Sequence, residues 1–270
     1  MEEQVRKAEA IANAFEHRLH QEVPPGVRDA WAELVGYVRL HYLMDEHWDG
    51  QSLKFRCSNK TFVILHLLDD CVMVEMTLHQ KECAIFEAIQ HRFSAEMRSA
   101  YEQGRTPEGA FLRLRLTGRK GLCGVKRLLR VKRRHNRHAA PIPQDAPASC
   151  CGNRCDQCLL FEENVRREDR RAELTLALAL AYGDPTDQRE NLCGGCGVDR
   201  IGKMLNVNCT CVVCASQRGV GTCSSCPEEA CEHRQGRGVH PGLCTPGLTA
   251  REVTELIIPY CGITWRRSTI

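Results

Sequence analysis

The sequence lacks the usual marks of a membrane protein or of a familiar enzyme. Its longest apolar candidate, residues 174–182, is too short to span a bilayer and follows a charged run. The first residues are charged and do not resemble a secretion signal. No glycine-rich phosphate loop, nucleophile elbow or His-Glu-x-x-His pattern occurs, so no catalytic residue is predicted. We therefore expect a cytoplasmic protein and favour a binding role over catalysis.

Acidic residues are missing from one long stretch of the chain. Residues 109–144 contain eleven Lys and Arg and no Asp or Glu, although the net charge of the 270 residues is only +3. Phosphate contacts are predicted for Lys126, Arg127, Arg130, Lys132, Arg133 and Arg134, and outward-facing Lys54, Arg56, Arg113 and Arg115 could extend this surface. Nucleic-acid binding is therefore one hypothesis. The alternative is a solvated helix face that offsets the acidic remainder of the chain.

Aromatic residues are also scarce, at 6% of the chain, and none lies between Gly118 and Leu160. The basic stretch therefore has no interleaved stacking platforms for bases, which weakens the nucleic-acid hypothesis. A protein partner remains an alternative that the sequence does not define.

The first half of the chain has the pattern of an α+β domain. Helices are predicted over residues 4–23, 27–43, 81–103 and 119–134. Alternating or wholly apolar runs predict strands over residues 53–57, 62–68, 72–78 and 110–117. This order predicts an antiparallel sheet with helices on one face. Asp45, Glu46 and Asp49 are interpreted as solvent-facing loop charges.

Residues 25–135 end in a basic helix of the form Leu-Leu-Arg-Val-Lys and resemble, in layout, a family of small uncharacterised bacterial α+β domains. The resemblance implies no catalytic residues. A proline- and alanine-rich segment follows and is predicted to be a linker. The expected organisation is an α+β domain (1–138), a linker (139–149), a cysteine-rich module (150–238) and a C-terminal helical extension (239–270).

Cysteine is abundant in the module, which holds twelve of the eighteen in the chain. Eight of the twelve form Cys-x-x-Cys pairs: Cys155/Cys158, Cys193/Cys196, Cys211/Cys214 and Cys223/Cys226. The other four are Cys150, Cys151, Cys209 and Cys231. Two thiolates separated by two residues can face one tetrahedral ion, so each pair is half of a four-sulfur site. In a reducing compartment, metal ligands or redox groups are favoured over disulfides.

The module has the order Cys151-x3-Cys155-x2-Cys158, a helix over residues 159–181, Cys193-x2-Cys196 and the later cysteines. This order resembles that of a cysteine-rich bacterial and archaeal domain of unknown function. The resemblance covers residues 150–233 and implies a metal-binding module with no established activity. Cys150 and Cys211 are additional to that pattern. Ten matched cysteines would fill two four-ligand sites with two left over, whereas all twelve would fill three.

Structural zinc, as two or three ions, is the preferred cofactor because it suits thiolate tetrahedra and commonly holds small loop-rich modules folded. The resulting hypothesis is a metal-binding protein that acts in binding or regulation. The rival is an iron–sulfur redox or sensing protein, since clusters also take four cysteines.

Other chemistries remain open for single subsets of the cysteines. Cys151, Cys155 and Cys158 have the spacing of radical S-adenosylmethionine enzymes, but too little chain follows for the barrel of such an enzyme. Cys223/Cys226 could be a redox dithiol. His233 could replace a sulfur ligand, while Cys244 and Cys261 are interpreted as packing residues and could alternatively complete a site.

Overall fold

The computed structural model describes residues 2–138, 149–197, 209–223, 225–228, 231, 233 and 239–261. These residues form two compact units. The sheet unit comprises Ala14–His138 and Thr245–Ala250, and the cysteine-rich unit comprises the described parts of Met1–Asn13, Ala139–Cys244 and Arg251–Ile270. The predicted linker, residues 139–149, lies outside the described residues except for Ser149.

Six antiparallel strands in the described part of the sheet unit form one sheet, in the order β1-β2-β3-β4-β6-β5. They are β1 (Asp45–Trp48), β2 (Ser52–Cys57), β3 (Lys60–Leu67), β4 (Val72–His79), β5 (Arg105–Thr106) and β6 (Gly109–Leu116). Buried residues alternate with half-buried or exposed ones along β4 and β6, as in the facing pair Val74 and Leu114. The predicted α+β class is confirmed.

Helices cover the buried face of this sheet. They are α2 (Pro25–His41), α3 (Gln80–Ala88), α4 (Ala95–Gln103) and α5 (Leu122–Lys132), while α1 (Glu2–His17) contributes Phe15 of its last turn to the same core. Pro25 starts α2, where its missing N–H costs no hydrogen bond. Trp31 of α2 and Leu128 of α5 are buried in one continuous hydrophobic core with the inward residues of the strands.

The single helix predicted over residues 81–103 is instead two helices. A 3-10 turn, Gln90–Arg92, follows α3, and Phe93 is extended. Ser94 then caps α4, because its hydroxyl accepts the N–H of Met97 at 3.3 Å. The apolar spacing is helical on both sides of the break, so spacing alone predicts one helix. The sequence signal for the break is Ser94, a residue type that favours helix N-caps.

The interpretation of Glu46 as a solvent-facing charge is wrong. Glu46 lies in β1, and its buried carboxylate accepts hydrogen bonds from Arg39 Nε at 2.7 Å and Arg39 Nη2 at 2.8 Å. It also accepts the N–H groups of residues 247–248, at 3.1 and 3.2 Å. Asp45 and Asp49 are exposed, as predicted. The partner that makes burial of Glu46 possible lies on α2 and is not visible in local sequence.

The cysteine-rich unit contains α6 (Glu162–Arg167), α7 (Arg171–Tyr182) and α8 (Thr210–Gln217). The one helix predicted over residues 159–181 is therefore α6 and α7, because Glu168 adopts an extended conformation. Gly183 ends α7 with a φ of 66°. Near the end of the chain, Ala250–Glu252 continues through helical turns to Tyr260, close to the predicted helix.

The described part of the cysteine-rich unit contains small groups of packed apolar side chains. One contains Leu160, Leu174, Ala177, Cys193 and Leu256, and another contains Cys150, Val212 and Ala215. No helix in the described ranges is long and apolar enough to cross a bilayer.

Candidate functional site

The first two Cys-x-x-Cys pairs meet in space and form the first cysteine cluster: Cys155, Cys158, Cys193 and Cys196. A parallel bridge joins Phe161 to Cys193. The N–H of Cys193 donates to Leu160 O and the N–H of Glu162 donates to Cys193 O, each at 2.9 Å. These bonds hold the segment after Cys158 alongside the segment that carries the second pair.

Hydrogen bonds connect the sulfur atoms of the first cluster. Cys196 bonds to both Cys155 and Cys193, and the N–H of Gly195 donates to Cys193 Sγ at 3.4 Å. The bond from Cys196 lowers the pKa of Cys155 to about 7, whereas burial raises the pKa of Cys158. A thiol with this pKa is substantially ionised at neutral pH, and the thiolate is the form that binds metals.

Tyr260 contributes to the first cluster from a distant part of the chain. Its hydroxyl lies 3.4 Å from Cys158 Sγ. Burial, together with the neighbouring sulfur, raises the pKa of Tyr260. The neighbouring backbone is held by the N–H of Arg154, which donates to Pro259 O at 2.8 Å. Sequence analysis missed Tyr260 because no spacing pattern relates it to the cysteines.

The remaining pairs form the second cysteine cluster, which surrounds a cavity of about 10 Å³. Its donor residues are Cys211, Cys214, Cys223, Cys226, Cys231 and His233. Cys211 and Cys214 are three residues apart on α8 and so face the same side of the helix. Arg218, directly after α8, places Nη1 3.8 Å from Cys226 Sγ.

Cys150 lies between the two clusters. Its N–H donates to Cys196 O at 3.0 Å, and its carbonyl oxygen accepts the N–H of Cys223 at 2.8 Å. Its sulfur faces Gly221 O at 3.7 Å, and Cys211 Sγ faces His233 O at 3.0 Å. A sulfur that donates to a carbonyl oxygen is a protonated thiol, because a thiolate has no proton to donate.

The other predicted cysteines lie at the margins of the clusters. Cys151 is half-buried, with its sulfur 3.9 Å from Ser149 Oγ. Cys209 directly precedes α8, and its backbone carbonyl oxygen accepts the N–H of Val212 at 3.0 Å.

Cys244 and Cys261 are buried residues of the cysteine-rich unit. Their sulfurs donate to His240 O at 3.6 Å and Ile257 O at 3.1 Å. These contacts are typical of buried thiols.

The structure clusters the cysteines without showing a metal site. No disulfide joins any of the eighteen cysteines, all of which lie in the described part of the chain. Over the same residues, no group of three or more His, Cys, Asp and Glu side chains has the arrangement needed to hold an ion. The predicted ligands are near one another, and the coordination itself is not shown.

Many cations of the basic stretch are paired with carboxylates. Lys126 Nζ and Arg119 Nη2 each lie 2.7 Å from Glu33. Arg113 Nη2 lies 2.7 Å from Glu75, and Arg115 pairs with Asp70. Lys54 lies 3.4 Å from Asp49. These pairs remove much of the positive charge that the sequence predicted across the sheet.

The C-terminal end of α5 and the two residues after it differ from the rest of the basic stretch. Arg130, Arg133 and Arg134 are exposed, and no carboxylate of the described chain lies within 4.0 Å of their guanidinium groups. Lys132 is half-buried, with Nζ 6.0 Å from the ring centre of Phe62, and burial lowers its pKa to about 8.

Arg127, the last of the predicted phosphate contacts, is half-buried. Its guanidinium lies over the Phe93 ring at 5.7 Å from the ring centre, and Nη1 donates to Arg92 O. Of the six predicted phosphate contacts, those exposed without a carboxylate neighbour in the described chain are therefore Arg130 of α5 and Arg133 and Arg134 directly after it.

Comparison with known proteins places a family only in the cysteine-rich region. A family model described as a protein of unknown function (DUF3795) matches residues 147–236. A DUF3795 domain therefore occupies the region where the sequence predicted a domain of unknown function, and the sheet domain has no family assignment. No curated protein and no solved structure matches the chain.

Proposed function

We propose that the cysteine-rich unit binds two metal ions through thiolates, with zinc in a structural role, in a protein that acts by binding or regulation. The observation that supports this most directly is the meeting of Cys155 and Cys158 with Cys193 and Cys196. Cys196 is hydrogen-bonded to Cys155 and Cys193, and Cys158 interacts electrostatically with the same two residues; four neighbouring thiols are the donor set that zinc prefers. The second cluster supplies the donors for the other ion.

The packing of the unit supports a structural role for the ions. Two of the apolar groups among its described residues have only five and three buried members, whereas the sheet unit has one large continuous core. A small unit with little buried apolar surface commonly needs a metal or another cross-link to remain folded. Bound ions would supply stabilisation that the hydrophobic contacts do not.

Two cysteines are assigned to packing in this proposal. Cys150 and Cys211 direct their sulfurs at carbonyl oxygens, so they serve as buried thiols. The ten cysteines that remain suffice for two four-ligand sites and favour two ions over three.

Metal analysis and an absorption spectrum of the full chain, prepared without oxygen, test the proposal. We expect colourless protein with two zinc ions, and loss of one ion in Cys193→Ser. Cys123→Ser, at an exposed cysteine of the sheet unit, is the matched control and should retain both. Brown protein with acid-labile sulfide would instead establish the iron–sulfur alternative. Protein without metal would contradict both.

Nucleic-acid binding is a second candidate function. It is favoured by Arg130, Arg133 and Arg134, which are exposed without a nearby carboxylate in the described chain, next to Lys126, whose charge is offset by Glu33. Cations that are not already paired are the ones able to neutralise phosphates.

Fluorescence anisotropy with labelled single- and double-stranded oligonucleotides tests this second function. Binding should weaken steeply between about 50 and about 200 mM salt, with a log–log slope of roughly 2 to 3 for three phosphate contacts. Arg130/Arg133/Arg134→Ala should abolish it. The matched control, Arg113/Arg115/Arg119→Ala, removes three arginines that are already paired and should retain most of the affinity. Equal losses in the two variants would refute a site on α5.

A further inference from the structure

We infer that the two clusters differ in kinetic lability: the second cysteine cluster exchanges its ion readily, while the first retains it. The inference rests on the proposed function, since it concerns the two zinc sites suggested there. It adds that the second site is suited to ion exchange or transfer and not only to holding the fold.

The number of donors is the first argument. The cavity of the second cluster is lined by five cysteines and one histidine, whereas a tetrahedral ion takes four ligands. Cys211 Sγ lies 3.0 Å from His233 O, so this sulfur is directed at the backbone. We assign Cys214, Cys223, Cys226 and Cys231 as the ligands, with Cys211 and His233 in reserve.

Spare donors lower the barrier to ligand exchange. When one thiolate leaves the ion, a neighbouring sulfur or imidazole can bind in its place. The ion therefore keeps four ligands throughout the exchange. The first cluster has four cysteines, and the groups next to them, the Tyr260 hydroxyl hydrogen-bonded to Cys158 and the Gly195 N–H that donates to Cys193, hold the sulfurs in place and add no spare sulfur or imidazole.

Exposure and charge are the second argument. Cys214, Cys226 and Cys231 are half-buried and His233 is exposed, so a competing ligand can approach. The Arg218 side chain, 46% exposed, is close to the sulfurs of the second cluster and offsets their negative charge. In the first cluster Cys155 and Cys193 are buried and Cys158 and Cys196 are half-buried, whereas Cys223 is the one buried cysteine among the four ligands assigned to the second.

The donor set fits a small thiophilic cation such as zinc. Sulfur atoms with one imidazole are ordinary zinc ligands, and a cavity of about 10 Å³ accommodates one atom-sized species. The ligand class is therefore a single divalent ion that prefers sulfur.

The test is release of zinc from the zinc-loaded full chain to an excess of a chromogenic chelator, followed in time. We expect two phases of equal amplitude, with rates that differ by more than tenfold. Cys211→Ser and His233→Ala should each retain two ions and slow the fast phase severalfold. Arg218→Gln should slow the fast phase roughly fivefold, because the sulfurs then keep their full negative charge and attract the ion more strongly.

The slow phase should be unchanged in all three variants. Arg189→Gln, an exposed arginine of the same unit that pairs with Asp187, is the matched control and should release zinc as the parent does. A single phase for both ions, or loss of one ion in Cys211→Ser or His233→Ala, would overturn the inference while leaving the proposed function intact. Failure of the parent chain to bind zinc would overturn both.

Discussion

One buried ion pair organises an edge of the sheet unit at the scale of single residues. Arg39 on α2 and Glu46 on β1 form a two-fold hydrogen-bonded pair with both side chains almost fully buried. Arg39 Nη2 also donates to Thr245 O at 3.4 Å, and the N–H of Glu46 donates to Leu248 O at 2.9 Å. The pair thereby fixes Thr245–Ala250 beside β1, so its loss affects more than one contact.

Glu46→Gln should destabilise the sheet unit by about 3 kcal/mol, because it leaves the buried Arg39 guanidinium without a neutralising charge. Urea unfolding followed by tryptophan fluorescence measures the change, since Trp31 is buried in the same unit. Asp70→Asn is the matched control. It removes the partner of exposed Arg115 and should cost no more than about 0.5 kcal/mol. Equal costs would show that burial of the first pair has no special importance.

A second residue-scale feature makes the sheet unit sensitive to acid. The rings of His41 and His135 stack at 4.2 Å between centroids, and Tyr37 Oη lies 2.8 Å from His135 Nε2. Burial, followed by repulsion from His135 and from Lys126 and Arg130, lowers the pKa of His41 from 6.5 to about 4. The folded state therefore binds fewer protons at His41 than the unfolded state does between these two values.

Stability should consequently be complete above pH 6.5 and should decline as the pH falls through 6.5 toward about 4. Solvent screening at this half-buried site limits the contribution of His41 to about 1–2 kcal/mol. Urea unfolding at several pH values measures it, and His41→Gln should flatten this part of the profile. A variant with the same profile as the parent would exclude His41 as the source.

At the scale of elements, the hydrophobic period predicted most of the sheet unit but not its interruptions. The strands over residues 62–68 and 72–78 lie almost where the apolar pattern placed them, because each buries one face in a continuous core. β1 was missed because its buried positions include Glu46, whose burial depends on Arg39. The helix break at Ser94 depends on a cap, which the apolar spacing does not record.

The junction after α4 depends on close approach of two backbones. Gly104 has an ordinary φ of −91°, but a Cβ at this position would lie 1.7 Å from Phe111 O of β6. Gly104→Ala should therefore cost about 3 kcal/mol or more, because backbone and not a flexible side chain must shift. Gly118→Ala is the matched control, since its Cβ would meet only Gly26 O at 3.9 Å. Urea unfolding should show little change for this control, and a comparable loss would contradict the steric explanation.

At the scale of the whole molecule, the two units depend on different interactions. The sheet unit is stabilised by one hydrophobic core, and the cysteine-rich unit combines small apolar groups with two clusters of thiols. Spacing in the sequence identified the cysteine pairs because Cys-x-x-Cys is a local pattern. It could not identify Tyr260, which contacts Cys158 from a distant part of the chain. It also could not identify Arg218, which contacts Cys226 from the end of α8.

Hydrogen exchange of the reduced full-length chain, measured before and after exhaustive chelation, tests most directly whether bound ions shape the cysteine-rich unit. We predict that chelation removes amide protection from α6, α7 and α8 and leaves β3, β4 and β6 protected, because only the former belong to the unit for which metal binding is proposed. Unchanged protection in α6, α7 and α8, with every thiol reduced and no ion bound, would contradict the central claim.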